Sequence, residues 1–182
     1  MNRFDRPLEI PQVSVAHLYS GVTAYSLENT LAATATKQIL DLIYYDKIRE
    51  KEGGTYGVGV FAGIGLFPKG WTVLQIGFNT DPAKWESMNA IVGEELERLA
   101  NEGPRPEDFQ KTRDNLLKRH AEVLQENSHW LDVLDRYYYY GLDMETDYEA
   151  TVRALTPEKI QSFVRDLLRQ GNRVEVIMRP AE

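Results

Sequence analysis

The feature that most constrains this chain is a change of hydrophobic period near residue 53. Before it, Leu27, Leu31, Ala35, Ile39 and Leu42 recur every three to four residues. That spacing predicts a helix from about Ala24 to about Glu50 with one apolar stripe. After it, Tyr56, Val58, Val60, Ala62, Ile64 and Leu66 alternate with Gly57, Gly59, Phe61, Gly63 and Gly65. A period of two residues predicts a strand over Thr55–Phe67 despite the glycines. Gly53-Gly54 divides the two, because glycine accepts the left-handed conformation of a helix C-cap. Phe67-Pro68-Lys69-Gly70 has turn chemistry, with Pro second and Gly fourth. Trp71–Asn79 then returns as the second arm of a hairpin, with Leu74, Ile76 and Phe78 on one face.

The flanks complete the pattern. Residues 1–10 are polar and proline-bearing and read as a ragged lead-in. Val13 to Ser20 predicts a first strand, broken by Gly21. Asp81-Pro82 predicts an N-cap with Pro at the first helical position. Trp85, Met88, Val92 and Leu99 mark that helix's inner side, and Gly103-Pro104 ends it. A further helix starts near Pro106 and carries Phe109, Leu116, Leu117 and Leu124. Ser128 caps the next, which bears Trp130, Leu134 and Tyr137–Tyr140 before Gly141. A short helix covers Glu145–Ala154. Thr156-Pro157 opens the last, with Phe163, Val164, Leu167 and Leu168 inward, and Gly171 closes it. Arg173–Met178 alternates as a final strand. The expected fold class is α+β: a mixed, mostly antiparallel sheet with helices packed on one face. The last strand has to rejoin that sheet, since its backbone groups need partners. No repeat, linker or domain boundary is visible, so residues 1–182 read as a single domain.

Composition excludes several function classes. Against 28 Asp+Glu there are 21 Lys+Arg, a net charge of −7, which disfavours nucleic acid. No cysteine is present, so disulfides and thiolate metal sites are excluded. No apolar run is long enough to span a bilayer, and Met1–Asp5 is not followed by the apolar segment of a signal peptide.

Residues 42–60, Leu-Ile-Tyr-Tyr-Asp-Lys-Ile-Arg-Glu-Lys-Glu-Gly-Gly-Thr-Tyr-Gly-Val-Gly-Val, resemble the signature of the pitrilysin/insulinase zinc peptidases. More narrowly, they resemble the non-catalytic, C-terminal-half domain of that family. Asp81-Pro82, Pro106-Glu107-Asp108-Phe109 and Leu155-Thr156-Pro157-Glu158 follow in the order that pattern has, so the resemblance covers nearly the whole chain. It implies a piece of a longer, multi-domain peptidase whose paired domains close over a peptide. It implies zinc in a homologous catalytic domain carrying H-x-x-E-H, as partner. This chain has only His17, His120 and His129, none in that motif, so no cofactor is expected here and the chain alone should hydrolyse nothing. Bacterial relatives of this kind often work in the cell envelope, which favours the periplasm over the cytoplasm.

By the resemblance, Arg49 and Tyr56 bind substrate and transition state at the partner's zinc. Tyr56 would donate its hydroxyl to the developing oxyanion, and Arg49 would hold a neighbouring peptide carbonyl. Spacing alone favours plainer roles: Arg49 at the negative end of its helix beside Glu52, and Tyr56 as a strand aromatic. A second reading of the whole is a catalytically retired scaffold subunit of the same family.

Other residues invite less. His129 with Asp132 is half a metal site, and His120 with Glu122 shares no face easily; zinc needs three protein ligands, so no metal site is expected. Tyr137–Tyr140 spread around a helix and are expected to pack with a partly exposed rim. The glycine face of residues 57–65 could receive an extended peptide, but close helix packing is the expectation. Glu94, Glu95 and Glu97 read as a solvated face.

Overall fold

A computed structural model of the chain describes residues 2–7, 11–48 and 57–181 in full, and residues 49–52 as backbone. The described residues form five strands and six helices. The strands are β1 (Asn2–Arg6), β2 (Val13–Val22), β3 (Val58–Gly65), β4 (Trp71–Thr80) and β5 (Asn172–Pro180). The helices are α1 (Leu27–Glu52), α2 (Trp85–Glu102), α3 (Pro106–Val123), α4 (Asn127–Tyr140), α5 (Tyr148–Ala154) and α6 (Pro157–Arg169). One sheet runs in the order β1-β5-β2-β4-β3. Only the β1–β5 pair is parallel; the other three pairs are antiparallel. The expected α+β class holds.

The sheet has one covered face, because each strand buries alternate residues. Val13, Val15 and Tyr19 of β2, Val60 of β3, Leu74, Ile76 and Phe78 of β4, and Ile177 of β5 lie under the helices. α1 supplies Leu31, Ala35, Ile39 and Ile43 to that layer. α2 adds Met88, Val92, Leu96 and Leu99, and α6 adds Ile160, Phe163, Val164 and Leu167. The Tyr44 hydroxyl, fully buried, donates to the Val92 carbonyl at 3.0 Å and ties α1 to α2. Burial raises its pKa, so it stays a neutral donor. The opposite face carries Leu18, Phe61, Trp71 and Val174, all exposed.

Several local expectations are corrected. The lead-in is not irregular: Asn2–Arg6 is β1, in register with Val176–Pro180. An edge strand needs only its neighbour's free backbone groups, so it carries no apolar signal; an Asp5–Arg179 ion pair at 2.9 Å crosses the register. Gly21 does not end β2, which continues to Val22. The Gln170 side-chain amide accepts from Val22 N–H (2.7 Å) and donates to the Val22 carbonyl (3.2 Å), much as another strand would. Asp81-Pro82 does not cap α2. Asp81 instead accepts from Ala83 N–H through Oδ1 and from Lys84 N–H through its carbonyl, a separate turn before the helix at Trp85. α4 begins at Asn127 behind Glu126 rather than at a Ser128 cap.

Three packing expectations also change. The face bearing Gly59, Phe61, Gly63 and Gly65 is the helix-free one, because the aliphatic face of β3 is what α1 covers. Glu95 is not solvated: it pairs with Arg98 at 2.7 Å and with Lys47 at 3.7 Å. Tyr137–Tyr140 do not pack into a core; all four are exposed, and α4 has no buried residue. Gly103, Gly141 and Gly171 do end their helices with positive φ.

Candidate functional site

The apolar stripe of α1 carries the chain to the margin of the sheet, where β3 begins. Arg49 lies in the last turn of α1, with its backbone helical through Glu52. Tyr56, Gly53 and Gly54 lie outside the described residues, and so does any contact of the Arg49 side chain. The structure thus places Arg49 and the start of β3 on either side of one short connection. It does not test whether guanidinium and phenol converge.

The surface that follows is unusual for its small side chains. Through the register, Gly59 sits beside Gly77, Gly77 beside Ala16, and Ala16 beside Val176, all on the open face. At this end of β3 a shallow concavity of about 580 Å³ is lined by Gln12, Ser14, Ala16, Gly57, Gly77 and Asn79. Among the described residues, β3 pairs with β4 on one side only, so it is an edge strand. A free strand edge beside a face of glycine and alanine lets another extended backbone approach closely.

Two further clusters were not legible in the sequence. Under the helices, His17 Nε2–H donates to Asn89 Oδ1 at 2.6 Å, and Asn89 Nδ2 donates to Glu175 Oε1 at 2.9 Å. Burial pushes the His17 imidazole below its ordinary value, against the opposing effects of Asn89 and Glu175. This network joins β2, α2 and β5 behind the open face. The second cluster is His120, His129 and Glu145, drawn from α3, α4 and the loop before α5. The spacings to Glu145, 25 and 16 residues, fall outside any helical or motif repeat. Asp132, paired with His129 on spacing alone, lines the same recess.

Residues 3–116, more than half of the chain, match the family described as the peptidase M16 inactive domain. The chain belongs to that family. Solved structures with the same fold include the ferredoxin protease FusC in complex with Arabidopsis ferredoxin, at 13% identity and a TM-score of 0.78, covering 100% of this chain and 20% of that one. The periplasmic protease PqqL from Escherichia coli gives 17% identity and 0.78, covering 99% and 21%. An M16 inactive domain from Pseudomonas fluorescens gives 20% identity and 0.75, covering 100% and 43%. The chain therefore spans about a fifth of the first two proteins and less than half of the third. No curated protein matches it. The resemblance of residues 42–60 to the non-catalytic half of these peptidases is thereby established. An M16 inactive domain has no catalytic zinc, which accords with a sequence lacking H-x-x-E-H. No helix among the described residues is long and apolar enough to cross a membrane.

Proposed function

We propose that this chain is the substrate-gripping domain of a zinc metalloendopeptidase, one domain of a longer assembly, which completes the active site of a homologous partner bearing H-x-x-E-H. The observation that carries the reading is the family match together with the position of Arg49 at the end of α1, next to an edge strand with a small-residue face. The partner's zinc supplies the activated water. This chain supplies grip. An extended peptide lies along the open edge, where backbone groups of β3 can pair with it. Arg49 holds a substrate carbonyl with its fork of donors. Tyr56 donates one neutral hydrogen bond to the oxyanion, a contact that strengthens as charge develops and so accelerates the step. The periplasm, where the Escherichia coli relative acts, is part of this proposal; recovery of the native protein in the spheroplast fraction would contradict it.

Reconstitution tests the reading. The chain is mixed with the H-x-x-E-H-bearing half, and hydrolysis of an unfolded peptide is followed. Neither half should cleave alone, and together they should. Tyr56→Phe should lower kcat by about 100- to 1,000-fold, the cost of one oxyanion donor. Arg49→Ala should mainly raise KM. If both substitutions together leave activity unchanged, the site is wrongly assigned. If the two halves bind tightly yet never cleave, the chain is a retired scaffold.

A further inference from the structure

One carboxylate faces two imidazoles where α3, α4 and the loop before α5 meet. His120 Nε2 is 2.7 Å from Glu145 Oε1, and His129 Nε2 is 3.1 Å from Glu145 Oε2. One ligand atom from each residue lies within 4.8 Å of the others. We propose that His120, His129 and Glu145 form a site for a divalent transition-metal ion, zinc in the first instance, that pins α4 to α3 and to the loop before α5.

The donor set fits. Two neutral imidazoles and a carboxylate are nitrogen and oxygen ligands that zinc accepts, and three protein ligands leave a fourth position for water. Ligands at about 2.0–2.1 Å from one tetrahedral ion sit about 3.3 Å apart. The two His–Glu separations need to open slightly, and the His–His separation, within 4.8 Å, to close toward that value, for an ion to enter. The rings are already held in place. His120 is buried and stacks on Tyr148, with centroids 4.0 Å apart and an interplanar angle of 11°. His129 rests its ring edge-on against Trp130 at 5.4 Å.

The second nitrogen of His120 points the same way. Its Nδ1 is buried and has no hydrogen-bond partner among the described residues. With both Nε2–H groups aimed at Glu145, that Nδ1 keeps a lone pair with no donor, which costs free energy in a buried place. With an ion on Nε2, the ring proton moves to Nδ1. There it lies 4.0 Å from Glu149 Oε1, which has to close by about 1 Å to accept it as the outer carboxylate that metal-bound histidines commonly use. Asp132, one helical turn beyond His129, lines the same recess of about 280 Å³ and can hold the ion's water. Arg119 and Arg136 also line it; Arg119 is paired with Glu122 at 2.7 Å, and Arg136 works against the ion. The role is mechanical: α4 buries none of its own residues, so a tie at its first turn fixes an element that packing does not.

The test uses the 182-residue chain, stripped of metal with a chelator and titrated with zinc chloride by calorimetry. One zinc per chain should bind, and cobalt in its place should give the visible absorption of a four-coordinate site. His129→Ala and Glu145→Gln should each weaken binding about 100-fold or more, and Glu149→Gln about tenfold. His129 is more exposed than His120, so its variant should keep the far-ultraviolet circular dichroism of the parent and remain interpretable. Absence of stoichiometric zinc on the folded chain, or equal affinity in parent and His129→Ala, overturns the proposal. Either result leaves the peptidase reading untouched.

Discussion

α1 and α4 carry the same kind of apolar spacing and meet opposite fates. In α1, Leu31, Ala35 and Ile39 step along one face and are all but fully buried against the sheet. In α4, Trp130, Leu134 and Tyr137 step along one face with offsets of four and three, yet they are 42%, 48% and 52% exposed. α4 is attached at its ends instead. Trp130 Nε1 donates to the Leu124 carbonyl at 2.8 Å, His129 meets Glu145, and the Tyr140 ring lies 5.2 Å from Phe67 on the β3–β4 turn. Periodicity therefore announces a face but not what covers it. For α1 the cover is a five-stranded sheet; for α4 this chain provides none among its described residues.

The contrast breaks most readily at the core. Ile39→Ala should cost about 2–5 kcal/mol, since a fully buried side chain leaves a cavity behind it. Leu131→Ala on α4 should cost less than about 0.5 kcal/mol, as exposed substitutions do. Urea unfolding of the two variants, compared by midpoint at constant slope, checks the difference; equal losses would mean that α4 is packed in solution.

A smaller effect is expected at the hairpin turn that Tyr140 approaches. A Cβ on Gly70 would lie 2.1 Å from the Thr23 carbonyl oxygen, a backbone atom that cannot swing aside. Gly70→Ala should therefore destabilise by about 1–3 kcal/mol. It should also shift the amide signals of residues 67–71 more than those of α4; an unchanged melting temperature would show that the turn has slack.

The next effect is read at His17, through pH. His17 has its folded-state pKa lowered by burial, so the unfolded chain takes up the proton first as pH falls. Its contribution to stability is complete above the ordinary histidine value of about 6.5 and is lost as pH drops from there through the folded value. Stability measured by urea midpoint should rise with pH across that interval, and His17→Gln should flatten the rise. A slope that survives the substitution would assign the titration elsewhere. The smallest effect belongs to α4: Tyr138→Ser should change stability by no more than about 0.5 kcal/mol while reducing any self-association seen by light scattering.

Much of the sheet was legible because the hairpin and the α1 stripe are strong local signals. Leu74, Ile76 and Phe78 were expected on one face and are buried there. β1 was not legible, since an edge strand held by backbone pairing and one ion pair needs no apolar pattern. The side of β3 that the helices would choose was also hidden. Glycine permits close packing, but burying Val60, with Val58, Ala62 and Ile64 partly covered, removes more apolar surface from water. Arg49 and Tyr56 rest on the family resemblance alone, and of the two only the Arg49 backbone is described.

The sequence by itself determined every described element except β1, the covered face of β4, the glycine ends of α2, α4 and α6, and the family. Those depend on interactions within a few residues or on an ordered string of them. Only the tertiary structure decided that α4 stands exposed, that Gln170 finishes β2, and that Glu145 joins two histidines. Each of those depends on groups brought together across the chain, whose encounter is fixed by how whole elements pack and leaves no spacing to read.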